Sequence, residues 1–109
     1  MAEFLVTIDW SPLYTLPNDI RDEVVQKERD TGLALIEAKT IKNIWELPGE
    51  KRNVGIWSAD DARGLLNVLE ALPIFPYVHM EVQALAAHPL ITEDYSFISG
   101  RSVGVSTAG

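Results

Sequence analysis

Apolar and polar positions alternate with a period of two in several short stretches and recur with a helical period between them. Residues 3–10 set Phe4, Val6, Ile8 and Trp10 against Leu5, Thr7 and Asp9, the pattern of a half-buried strand that Ser11-Pro12 ends. A short loop follows over 13–17, and Asn18 or Asp19 is placed to cap a helix reaching about residue 38. At about 100° per residue, Ile20, Val24, Val25, Leu35 and Ile36 fall within one broad arc, and Glu28 lies inside that arc near mid-helix. Arg21 and Lys39 share the arc near the helix ends, where a long stem carries its charge to water. Glu28 has a short stem and no such exit.

Residues 41–47 read as a second strand, Pro48-Gly49-Glu50 as a turn, and 53–57 as a third strand pairing back as a hairpin. Ser58 is then expected to start a second helix, with Asp61 at the capping-box spacing and an apolar stripe of Ala62, Leu65, Leu66, Leu69 and Leu72. Pro73 and Pro76 deny the backbone helical geometry and bracket Ile74 and Phe75 as an apolar knuckle. Residues 77–85 alternate again, with Val78, Met80, Val82 and Ala84 on one side and Tyr77, His79, Glu81 and Gln83 on the other.

The order β-α-β-β-α-β predicts an α+β, ferredoxin-like fold: a four-stranded antiparallel sheet with both helices on one face. The opposite face carries Leu5, Tyr77 and, depending on register, either Trp45 or Ile44. That is much apolar surface for so small a chain to leave wet, so an oligomer is expected, its second sheet face covered by another copy.

Composition narrows the chemistry. A chain of 109 residues that is 47% hydrophobic and 23% charged has room for one two-layer core. Its net charge of −7 supplies no basic patch for a nucleic-acid backbone, so no nucleic-acid partner is expected. With no cysteine and two histidines, neither a metal site nor a disulfide framework is expected. No apolar run approaches the length of a membrane span and no signal segment is visible, which points to a cytoplasmic protein with no membrane partner. Residues 1–90 read as the domain, and 91–109, which become small and flexible in SGRSVGVSTAG, as an extension that is free or packed on a neighbouring subunit.

The stretch LPIFPYVHMEVQALAAHP closely resembles the signature of the muconolactone delta-isomerase family, at Leu72, Pro73, Phe75, Pro76, Tyr77, Glu81, Val82, Ala84, Leu85, His88 and Pro89. Upstream, Lys27-Glu28-Arg29 looks like the family's basic-Glu-basic triplet, Trp45 followed by Gly49 like its strand-two tryptophan and turn, and Asn53-Val54 like its third strand. The likeness covers roughly residues 3–90, while 11–16 and the tail after Leu90 depart from it. The resemblance implies small ferredoxin-like subunits assembled into rings, from dimer to decamer, and an isomerase that moves a double bond within a lactone without metal or organic cofactor. In catechol breakdown that reaction converts muconolactone into the enol-lactone of 3-oxoadipate.

A proton shift of this type needs one group that removes a proton from carbon and returns it one position along, and a single carboxylate suffices. Glu28 is the candidate; its apolar helix face disfavours the charged form, while Lys27 and Arg29 beside it in sequence favour it. Lys27, Arg29 and Arg52 are candidate partners for a substrate carboxylate. Trp45 and Tyr77 offer flat apolar walls, and His79 an acid, a donor or a subunit contact. Two other readings stand beside this one: a family relative that isomerises or cyclises another small molecule, polyketide or aromatic, and a subunit that keeps the fold for ligand binding or assembly without chemistry.

Overall fold

A computed structural model of the chain describes residues 1–88 and residue 90. Four strands form one sheet: β1 (Ala2–Asp9), β2 (Ile41–Glu46), β3 (Arg52–Ala59) and β4 (His79–Leu85). Their spatial order is β2-β3-β1-β4, with every neighbouring pair antiparallel. Two helices, α1 (Asn18–Glu37) and α2 (Ala62–Glu70), complete the ferredoxin-like order read from the sequence. The extension at 91–109 lies outside the described residues. Among those that are described, no helix is long and apolar enough to cross a membrane.

Register decides what each face presents. Opposite residues of an antiparallel pair share a face, so Phe4–Trp57, Val6–Gly55, Ile8–Asn53 and Ile44–Gly55 point one way. Leu5–Ile56, Thr7–Val54, Asp9–Arg52, Trp45–Val54 and Asp9–His79 point the other. Trp45 therefore belongs to the outer face and Ile44 to the helix-covered one. The core lies on the helix side, where Phe4, Val6, Ile8, Ile41 and Trp57 meet Leu65, Leu69, Leu72 and Ile74. Gly55 is required there: a Cβ would stand 2.8 Å from the Asn43 carbonyl oxygen and 3.3 Å from Trp57 Nε1.

Several boundaries differ from the sequence reading. Ser58 does not start α2; β3 runs two residues further, Ser58 pairs with Glu3, and its N–H donates to the Thr40 carbonyl at 2.8 Å. Asp61 is the cap instead, its carboxylate accepting from Gly64 N–H at 2.8 Å. Neither Asn18 nor Asp19 caps α1, because Pro17 holds the cap position and both residues are already helical; Asp19 still lies in the first turn, where the helix dipole favours a negative charge. Tyr77 is not in β4, because the two prolines tighten Phe75–Tyr77 into a 3-10 turn and the strand starts at His79. A second 3-10 turn, Ser11–Thr15, with Pro12 in its first turn, occupies the loop after β1.

Candidate active site

Between α1 and the sheet lies a recess of about 430 Å³, lined by Trp10, Leu13 and Tyr14 from the first loop, Val25, Glu28, Gly32 and Ile36 from α1, and Ile41, Ile44, Asn53, Trp57 and Ile74 opposite. The four α1 residues follow from helical spacing, since positions three, four and eight apart fall on one side. A helix is otherwise a closed wall, but Gly32 leaves this one open: a Cβ built there would meet nothing within 4 Å. A mid-helix glycine costs about 1 kcal/mol relative to alanine, and nothing in the helix geometry requires one at this position, where φ is not positive.

Glu28 is the one carboxylate in the lining. Its Oε1 accepts a hydrogen bond from Ile74 N–H at 3.3 Å, which ties the helix to the proline knuckle ahead of β4. Burial pushes its carboxyl above the ordinary carboxylate range, and the Ile74 N–H, which acts in the opposite sense, is outweighed. The hydrogen bond is long and neutral-donor, so it offsets only part of the cost of burying the charge. A carboxyl held in this way is a poised proton acceptor.

The other residues singled out from the sequence are distributed over four places. Lys27 points to solvent and pairs with Glu23 at 3.3 Å, one turn back along α1, so its closeness to Glu28 in sequence does not carry over into space. Arg29 borders an adjoining recess of about 670 Å³ that shares Trp10, Val25, Ile44 and Asn53 with the first, and Trp45, outward in register, reaches its rim because β2 is an edge strand. Arg52 and His79 lie on the far side of the sheet, where they and Thr7, Asp9 and Glu81 line a shallow recess of about 260 Å³. There, Ser11 holds the Asp9 carboxyl below its usual range through its backbone N–H at 2.9 Å and its hydroxyl at 2.7 Å. Tyr77, half-buried in its 3-10 turn, joins neither group.

Sequence reasoning missed Trp10, Tyr14, Gly32, Asn53 and Trp57 as lining residues. Gly32 carried a readable signal, a helix-breaking residue inside an otherwise helical period. Tyr14 carried none, because the 3-10 turn that brings it to the recess is read only from coordinates. Its ring lies 5.8 Å from that of Trp10, and the Arg21 guanidinium and Lys51 ammonium each stand 5.1 Å from its centroid.

The sequence profile described as muconolactone delta-isomerase matches residues 2–90, which contain every residue of the recess. The chain belongs to the muconolactone delta-isomerase family. The Muconolactone Delta-isomerase of Rhodococcus opacus is 32% identical over 88 residues, spanning 81% of this chain and 95% of that protein. The corresponding protein of Acinetobacter baylyi is 28% identical over 91 residues, spanning 84% and 95%. The crystal structure of muconolactone isomerase superposes with a TM-score of 0.71 at 25% identity, covering 80% of this chain and 91% of the other. The LPIFPY stretch reaches the recess through Ile74, whose backbone N–H donates to the Glu28 carboxylate.

Proposed function

We propose that the protein is a cofactor-independent isomerase that shifts a double bond within a small lactone, with Glu28 as the proton shuttle. The observation that carries this reading is the half-buried, pKa-raised Glu28 carboxyl in an apolar recess that contains no second carboxylate among the described residues. In the forward step the carboxylate takes a proton from the saturated ring carbon γ to the lactone carbonyl, and the electron pair moves through the ring double bond into the carbonyl as a dienolate. The Glu28 carboxyl then returns the same proton one allylic position along, the carbonyl re-forms, and the double bond has moved. No atom is gained or lost and no oxidant is needed.

Asn53 contributes an amide to the lining, and Trp10, Tyr14 and Trp57 contribute aromatic rings, the kind of side chain that packs against a flat lactone. An acid group on the substrate would lie toward the adjoining recess, where Arg29 supplies the cation. We also propose self-association through the outer sheet face, supported by Leu5, Val54, Ile56 and a Trp45 that is 52% exposed.

The decisive experiment follows a butenolide by proton NMR in heavy water. The wild-type protein should move the double bond at a rate proportional to enzyme, before and after dialysis against EDTA. Glu28→Gln keeps size and polarity but removes the base, so turnover should fall roughly 10²- to 10⁴-fold. A Glu28→Gln protein with wild-type turnover would end the proposal.

A further inference from the structure

The recess is larger and more apolar than the proton shift itself requires. Nine of its twelve lining residues are aliphatic or aromatic, the remainder being Glu28, Gly32 and Asn53, and no lysine or arginine is among them. Its volume of about 430 Å³ lies within the roughly 300–1,000 Å³ of sites that bury drug-sized ligands. The extra room has a definite position. Gly32 stands one helical turn beyond Glu28 on the same side of α1, so the open space at its missing Cβ belongs to the same recess as Glu28, one turn further along the helix.

A side chain at position 32 would project into that space, about 5–6 Å along the helix surface from Glu28. Beyond it the wall is continued by Ile36 of the helix and by Ile41 and Trp57 of the sheet. A ring whose reacting carbon sits at Glu28 has room to lay an apolar substituent over Gly32, while an acid group is served by the adjoining recess at Arg29.

We propose that Gly32 is a specificity-determining residue, keeping open a cleft beside Glu28 that admits a lactone bearing a bulky apolar substituent in preference to one bearing a small group. This rests on the proposed isomerase reading for its chemistry but not for its binding argument. The preference arises because the substituent transfers from water to an apolar wall that would otherwise be only partly filled. Filling the gap at position 32 removes the preference without touching the base.

The test separates binding from turnover. Saturated γ-phenyl and γ-methyl butyrolactones cannot shift a double bond, so calorimetric titration of the wild-type protein, Gly32→Ala and Gly32→Leu reads the cleft alone. The wild-type protein should bind the phenyl lactone at least about tenfold more tightly than the methyl one, the lower end of what apolar misfit contributes to selectivity. Gly32→Ala should narrow that ratio and Gly32→Leu abolish it, the larger loss falling on phenyl-lactone affinity, and Gly32→Ala should melt no lower than wild type because its Cβ meets open space. A phenyl-to-methyl ratio that is absent in wild type, or unchanged in Gly32→Leu, overturns the proposal. Turnover of the matching unsaturated lactones, with and without Glu28→Gln, is scored independently. Selective binding without Glu28-dependent turnover would leave the cleft assignment standing and remove the isomerase, and the reverse result would remove Gly32 and keep the isomerase.

Discussion

Glu28→Gln also tests the burial argument apart from any chemistry, through the pH dependence of stability. In the folded protein the Glu28 carboxyl titrates above its ordinary range because burial penalises the charge. The folded state therefore holds a proton that the unfolded chain has already released. Below the unfolded-state pKa both forms are protonated and the side chain costs nothing. As pH rises from there through the raised folded value, the stabilisation that the protonated form allowed is lost. Glutamine is neutral throughout, and its amide oxygen can still accept from Ile74 N–H, which stands 3.3 Å from Glu28 Oε1. The variant should thus match wild type at about pH 4 and become the more stable of the two toward about pH 8, with the gap opening just above the ordinary carboxylate range.

One carboxyl retains at most one extra proton, so the gap can open no faster than about 1.4 kcal/mol per pH unit. Partial exposure of Glu28 to solvent reduces it below that ceiling. Each kcal/mol corresponds to about 4–8 °C for a domain of this size, so a shift of a few degrees is expected. Thermal melts followed by circular dichroism across that pH range measure it. A Glu28→Gln variant that is less stable than wild type near neutral pH, by a margin that shrinks on acidification, would mean that a partner holds the carboxylate charged, and the reasoning would be wrong.

Two other outcomes follow from the fold. Lys39 closes α1 with φ at 65°, its N–H bonded to the Ile36 carbonyl and Thr40 N–H to that of Leu35, a geometry glycine adopts without strain; Lys39→Gly should stabilise the protein by about 0.5–1 kcal/mol, read as a higher denaturant midpoint at unchanged slope. Ile56→Asp places a charge at the centre of the outer sheet face, opposite Leu5 and Asn43; sedimentation should show wild type associated and the variant shifted toward monomer, and a monomeric wild type would refute the proposed interface.

The order of elements was legible because period-two and helical patterns are properties of the chain alone, and Phe4, Val6, Ile8 and the Leu65–Leu69 stripe carried them without interruption. The start of α2 was misread because Ser58 and Asp61 are both good caps, and only the pairing of Ser58 with Glu3 shows that β3 continues past Trp57. Glu28 was legible as a recess residue because a short acidic side chain amid an apolar arc keeps its carboxyl near the helix and half-buried. Lys27 and Arg52 were not, because adjacency in sequence places side chains about 100° apart on a helix, and alternation along β3 sends Arg52 and Asn53 to opposite faces. Tyr14 depends on a tertiary path that no local pattern encodes.

The bond between Glu28 and Ile74 joins a side chain to a peptide N–H, and this divides the demands on position 74. The isoleucine side chain, 7% exposed, serves the core, while the donor belongs to the backbone and is the same for every amino acid but one. Apolar substitutions there will repack the interior and leave the carboxylate anchored, whereas proline alone deletes the donor. The anchoring of the carboxylate is in this sense inherited through the path of the main chain, held by the prolines on either side, and is insulated from sequence drift at the residue it depends on.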